Sequence, residues 1–151
     1  MSWAVPHQRG DANETNAVRV DYALRLAGSM VQMQAVLVVD DDVAVRRPMA
    51  RLLGLEGFDV IEANNGQEAL TCLRAGLGIA VIVLDLRMPV MDGWTFRTRQ
   101  RADPLIADIP VIVVSGADTE RFGELEAFAT LQKPVAPSSV VNLLRELLPN
   151  Q

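Results

Sequence analysis

The segment that most constrains this chain is an apolar run that ends on a carboxylate. Val81-Ile82-Val83-Leu84 is followed at once by Asp85, and the pattern then breaks at Met88-Pro89 before Asp92-Gly93. Four consecutive β-prone apolar residues suit a strand buried on both faces, as in a parallel sheet. Asp85 then lies at the carboxyl end of that strand, the edge at which open α/β sheets place their ligands. A carboxylate there must be hydrated, paired or bound to a cation, because burying it alone is very costly.

From Ala35 onward the sequence alternates strand and helix five times. Ala35-Val39 is an apolar strand that runs into Asp40-Asp41-Asp42. A helix follows to about Gly57, with Val45, Met49, Leu52 and Leu53 on its expected inner face. Pro48 inside it removes one backbone donor and predicts a kink. Phe58-Glu62 is the second strand, and the turn residues Asn64-Asn65-Gly66 lead into a helix through Ala75. Ile79-Leu84 is the third strand and Trp94 to Arg101 the third helix. Pro110-Val114 is the fourth strand, ending at Ser115-Gly116. A short helix near Thr119-Phe128 precedes a weak fifth strand, Thr130-Gln132. Lys133-Pro134 then opens onto a last helix, Ser138-Leu148, whose apolar face is Val140, Val141, Leu144, Leu147 and Leu148. Repeated strand-helix units imply a five-stranded parallel sheet with helices on both faces. The expected order is 2-1-3-4-5, the flavodoxin-like member of the doubly wound folds.

Composition narrows the function classes. The chain has 151 residues, 50% of them hydrophobic and 22% charged, with net charge −5. That suits one α/β domain with a short appendage, leaves no sequence after Gln151 for a second one, and offers no basic stripe for nucleic acid. Cys72 is the single cysteine and His7 the single histidine, so an intrachain disulfide, a cysteine zinc cluster and a multi-histidine metal site are excluded. Without a signal-peptide or membrane-spanning stretch, the expected compartment is the cytoplasm. Residues 1–34 read as an N-terminal extension, polar at first, with a short amphipathic helix at 16–30 carrying Val18, Tyr22, Leu26 and Met30. Met30 or Met33 could be the natural start.

With strands 1 and 3 adjacent, Asp40 and Asp41 come close to Asp85. Three carboxylates in one crevice repel, and each raises the cost of ionising the others. A hard divalent cation relieves this, and oxygen-only ligands suit Mg2+. Strand 4 adds the Ser115 hydroxyl, and the end of strand 5 adds the Lys133 ammonium, a point charge suited to a phosphoryl oxygen. An oxygen nucleophile, a cation, a hydroxyl and an ammonium are what phosphoryl transfer onto a carboxylate needs.

Four motifs in order, VLVVDDD at 36–42, VLDLRMPVMDG at 83–93, VIVVSG at 111–116 and LQKP at 131–134, make Ala35 to Pro149 resemble a two-component response-regulator receiver domain. The resemblance implies that Asp85 is the phosphoacceptor and that Asp40 and Asp41 bind Mg2+ together with it. It adds the backbone carbonyl of Arg87 as a further ligand. It implies that Ser115 and Lys133 contact the phosphoryl group, and that the Lys133-Pro134 bond is cis. The implied donor is a phosphohistidine on a sensor histidine kinase or phosphotransfer protein. The implied protein is not an enzyme beyond its own phosphorylation and dephosphorylation, and is a monomer or weak dimer in bacterial signalling with an output partner still to be named. Two departures bear on that output. Thr130 stands where the family usually has an aromatic residue, with Phe128 nearby, and the Ser115-to-Lys133 segment is about one helical turn short.

Other readings compete. A receiver-like interaction module that works without phosphorylation is the alternative, and an aspartate-nucleophile phosphatase is a more distant one. The phosphatase reading meets Ala44 where its signature needs Thr or Val, and it finds no acidic pair after Lys133. Asp42 and Asp92 are expected to cap helices. Cys72 reads as a buried or half-buried helix residue, and Arg97-Arg99-Arg101 as a solvated face. Of Trp94 and Phe96, at most one is expected in the core.

Overall fold

The structure, a computed structural model, describes residues 34–116 and 119–149. The expected extension at 1–34 and its helix at 16–30 therefore lie, except for Gln34, outside the described residues. The elements are β1 (Ala35–Val39), α1 (Val43–Leu55), β2 (Asp59–Ala63), α2 (Gly66–Arg74) and β3 (Ile79–Leu84). They continue with α3 (Gly93–Ala102), β4 (Val111–Ser115), a 3₁₀ segment (Thr119–Leu125), β5 (Ala129–Gln132) and α4 (Pro137–Leu147). The five strands are all parallel, in the order β2-β1-β3-β4-β5. That is the expected doubly wound arrangement.

Strand alternation sorts the core into two layers. Leu37, Val39, Ile82, Leu84, Val111 and Val113 face α2 and α3, meeting Leu70 and Phe96. Their neighbours Val36, Val38, Val81, Val83, Ile112 and Val114 face α1 and α4, meeting Leu53, Val140 and Leu144. Both faces being covered explains why β1, β3 and β4 as far as Val114 are apolar at every position rather than at alternate ones. Each fully buried aliphatic side chain contributes about 1.5–3 kcal/mol.

The starts of α1, α2 and α3 are set by side-chain caps, which satisfy amide donors that have no partner within the helix. Asp42 accepts from the Ala44 N–H at 2.9 Å, Asn65 from Glu68 at 2.9 Å and Asp92 from Thr95 at 2.8 Å. Both aspartate caps agree with the sequence reading. α1 runs unbroken across Pro48. Phe96 is fully buried while Trp94 is only partly so, and Cys72 is half-buried on α2.

Three expectations change. Val45 is exposed, and the buried place it was given belongs to Arg46. The helix expected near Thr119-Phe128 is 3₁₀ and ends at Leu125. Here the chain must travel back along the sheet between β4 and β5 in few residues. Seven residues cover roughly 14 Å as 3₁₀ helix against roughly 10 Å as α-helix. Third, the Arg97-Arg99-Arg101 series is not a wholly solvated face. Arg97 is buried and donates from Nε to the Leu125 carbonyl (2.8 Å), from one terminal nitrogen to the Glu126 carbonyl (2.9 Å) and from the other to Gln100 Oε1 (2.8 Å). Gln100, fully buried, donates onward to the Ile106 and Ile109 carbonyls, both at 3.0 Å. Arg99 and Arg101 are exposed, and Arg101 pairs with Glu126.

Candidate functional site

The site is built where strands β1, β3, β4 and β5 end. The register aligns Val39 with Leu84, so the next residues, Asp40 and Asp85, leave the sheet side by side. The Asp85 N–H donates to the Val39 carbonyl at 2.9 Å, fastening the two ends together. Carboxylate oxygens of Asp40, Asp41 and Asp85 all lie within 4.8 Å of one another, with Asp40 and Asp85 buried and Asp41 exposed. Such a set of hard oxygens fits a divalent cation.

Lys133 enters this cluster from the end of β5. Its Nζ lies 3.1 Å from Asp40 Oδ2 and 3.5 Å from Asp85 Oδ1. The Lys133 N–H donates to the Ser115 carbonyl at 3.1 Å, which ties its strand end to that of β4. The Lys133-Pro134 bond is cis. Ser115 is buried at the end of β4. The structure thus brings Asp40, Asp41, Asp85 and Lys133 into one crevice, with Ser115 on the neighbouring strand end.

Electrostatics mark Asp85. Burial, and then the Asp40 charge, push its pKa above the usual carboxylate range. The Lys133 charge and the Leu86 amide only partly oppose this. For Lys133, burial pulls the ammonium down, but its hydrogen bond to Asp40 and the charges of Asp85 and Asp40 outweigh that and leave it raised. An acid held above its ordinary value by burial and like charge is one whose ionised form an added cation would stabilise.

The loop after Asp85 is tightly determined. The Gly93 N–H donates to the Leu86 carbonyl at 2.8 Å, closing Leu86–Gly93 into a compact turn. A Cβ on Gly93 would lie 2.6 Å from the Asp85 carbonyl oxygen, so only glycine fits behind Asp85. The Gly66 N–H donates to the Met91 carbonyl at 3.0 Å and fixes the loop to α2. Within it Val90 holds φ 68 and is 83% exposed. A β-branched residue is a genuine outlier in that region.

Two buried charged residues escape the sequence reading. Arg46 donates from one terminal nitrogen to the Asp40 carbonyl at 2.7 Å and from Nε to Glu62 at 3.0 Å. Arg97 is the other. Both stand at helical spacing with core residues, Arg46 with Met49 and Leu53, and Arg97 with Gln100. A charged residue in register with an apolar stripe was the available signal. Thr130 and Phe128 are exposed on and beside β5, so no aromatic side chain fills position 130.

Comparison with known proteins agrees with this geometry. The family model described as the response regulator receiver domain matches residues 36–145. The transcriptional regulatory protein AruR of Pseudomonas aeruginosa is 32% identical over 127 residues, covering 79% of this chain and 51% of that protein. The response regulator MprA of Mycolicibacterium vanbaalenii is 38% identical over 117 residues, covering 75% and 49%. This chain therefore spans about half the length of the curated relatives it matches. Among solved structures, a response regulator receiver protein from Pseudomonas putida superposes with TM-score 0.71 at 30% identity, covering 75% of this chain and 96% of that one. A CheY-like receiver domain protein from Methanospirillum hungatei gives 0.70 at 26%, covering 78% and 94%. With fold, strand-end chemistry and sequence in agreement, the chain belongs to the receiver-domain family of two-component response regulators, proteins of phosphorelay signalling.

Proposed function

We propose that Asp85 accepts a phosphoryl group from the phosphohistidine of a sensor histidine kinase or a phosphotransfer protein. The carboxylate oxygen forms the new O–P bond as the donor's N–P bond breaks, and the donor imidazole leaves with the electron pair. Lys133 neutralises charge on the phosphoryl oxygens from the β5 side, and the Ser115 hydroxyl donates to one of them from β4. The observation that carries this reading is Lys133 Nζ placed between Asp40 and Asp85, so that the acceptor and its charge partner share one crevice.

Asp40, Asp41 and Asp85, with the Arg87 backbone carbonyl, would hold Mg2+. When bound it supplies positive charge that relieves the three carboxylates and favours a phosphoryl group beside them. In this reading residues 1–34 form an extension to a receiver at 35–151. The protein acts in the cytoplasm as a monomer or weak dimer, binds no nucleic acid itself, and turns over no substrate other than its own phosphoryl group. Among the described residues no helix is long and apolar enough to cross a membrane.

The test is intact mass after incubation with Mg2+ and acetyl phosphate, beside Asp85→Asn and Asp40→Asn. The expected result is a phosphoryl adduct on the wild type that is absent from Asp85→Asn. An adduct retained by Asp85→Asn and lost with Asp40→Asn would transfer the acceptor role to Asp40. No adduct with acetyl phosphate and no beryllofluoride complex would favour the phosphorylation-independent module, a reading supported by the exposed Thr130.

A further inference from the structure

α1 buries two residues, Leu53 and, against the usual pattern, Arg46. A buried guanidinium needs acceptors for its fork of donors. It finds them at the Asp40 carbonyl, 2.7 Å away, and at Glu62 on β2, 3.0 Å away. These two contacts tie three elements together at the point where β1 leaves the sheet. The remaining groups of Asp40 are also held: its N–H donates to the Ala63 carbonyl at 3.2 Å, its Oδ1 accepts from the Asp42 N–H at 2.9 Å, and its Oδ2 accepts from Lys133. Arg46 also lines a small cavity of about 20 Å³ beneath the crevice, with Asp40, Asp85 and Val114 among the other walls.

The geometry points to Arg46 as a positioning residue for the cation pocket. By holding the Asp40 carbonyl against α1 and β2, it fixes the peptide between Asp40 and Asp41 and so the direction in which both carboxylates point. The inference rests on the proposed reading of the acidic cluster as a cation site. It carries a sign that a bystander charge would not. Removing a nearby positive charge strengthens cation binding to carboxylates by simple electrostatics. Removing a group that orients the ligands weakens it, by about tenfold or more for outer partners of metal ligands.

The experiment is a Mn2+ titration of the full chain, with free Mn2+ counted by electron paramagnetic resonance and Mg2+ added as competitor. The variants are Arg46→Met and Arg46→Lys, with the exposed neighbour Arg47→Met as control. We expect Arg46→Met to bind about tenfold more weakly and Arg47→Met to match the wild type. Arg46→Lys keeps the charge but cannot span both acceptors, so it falls between the two. Labelling by acetyl phosphate supplies a second readout. For Arg46→Met it falls at limiting Mg2+ and returns to within about threefold of wild type at saturation, whereas general structural damage depresses both. Unchanged or tighter Mn2+ binding in a folded Arg46→Met overturns the inference. If that variant does not fold, Arg46→Lys decides in the same way. A wild type that binds no Mn2+ would instead refute the cation reading beneath it.

Discussion

Arg97→Met tests whether the short β4–β5 connection depends on a buried guanidinium. The substitution keeps an unbranched apolar stem but deletes three donors, leaving the carbonyls of Leu125 and Glu126 and the Gln100 side-chain oxygen without their partner. Hydrogen bonds from charged donors contribute about 1.5–3 kcal/mol each, although taking the guanidinium out of water offsets part of that sum. Leaving a buried acceptor without its donor costs about 1–3 kcal/mol, and we take about 3 kcal/mol for the three together because Glu126 is partly solvated. Set against a domain stability of about 5–15 kcal/mol, a loss of 3 kcal/mol is large. With a urea slope of about 1.5 kcal/mol/M the midpoint falls by about 2 M, measured by circular dichroism. Hydrogen exchange should accelerate first at 125–129, including the Phe128 amide, which donates to the Val111 carbonyl at 2.9 Å. Arg97→Lys should rescue little, since an ammonium cannot match the planar fork. A loss below about 1 kcal/mol, or an acceleration spread evenly over the chain, would refute the reasoning.

Three further outcomes are expected. Gly93→Ala forces a Cβ to within 2.6 Å of the Asp85 carbonyl oxygen and 2.8 Å of Leu86 Cα. It should lower stability by about 1–3 kcal/mol and slow acetyl phosphate labelling; wild-type labelling would contradict the packing argument. Val90→Gly should stabilise by about 0.5–1 kcal/mol, because relief of the left-handed backbone exceeds the entropy that glycine loses on folding. A melting temperature that drops would contradict it. The raised pKa of Asp85 means that its ionised form opposes folding in metal-free protein at neutral pH, and that this opposition fades as pH falls through the folded value towards the unfolded one. In the presence of EDTA, Asp85→Asn should therefore be more stable than wild type at pH 7 and lose that advantage in acid. An advantage that grows in acid would reverse the sign.

The fold was legible because its signals are redundant. β1, β3 and β4 are continuous apolar runs, and each leads into residues that can turn or cap, so type and order follow from local pattern. The acidic cluster, Ser115 and Lys133 were legible because each ends a strand, and topology alone carries strand ends to one edge. Arg46 and Arg97 were not, since a periodicity reading assigns charge to solvent by default. Both are buried because a backbone carbonyl waits opposite, and carbonyl positions are fixed by tertiary structure. The 3₁₀ segment was misread for a related reason: the distance it must cover is set by the strands it joins.

The ion pair between Lys133 and Asp40 joins positions 93 residues apart. During synthesis β1 and β3 can associate well before β5 has left the ribosome. A nascent chain at that stage carries Asp85 beside another carboxylate, with no ammonium between them. On the proposed reading of Asp85, competence for phosphoryl transfer therefore arrives with β5, and a nascent chain that still lacks it is poorly equipped to draw phosphoryl groups away from finished molecules.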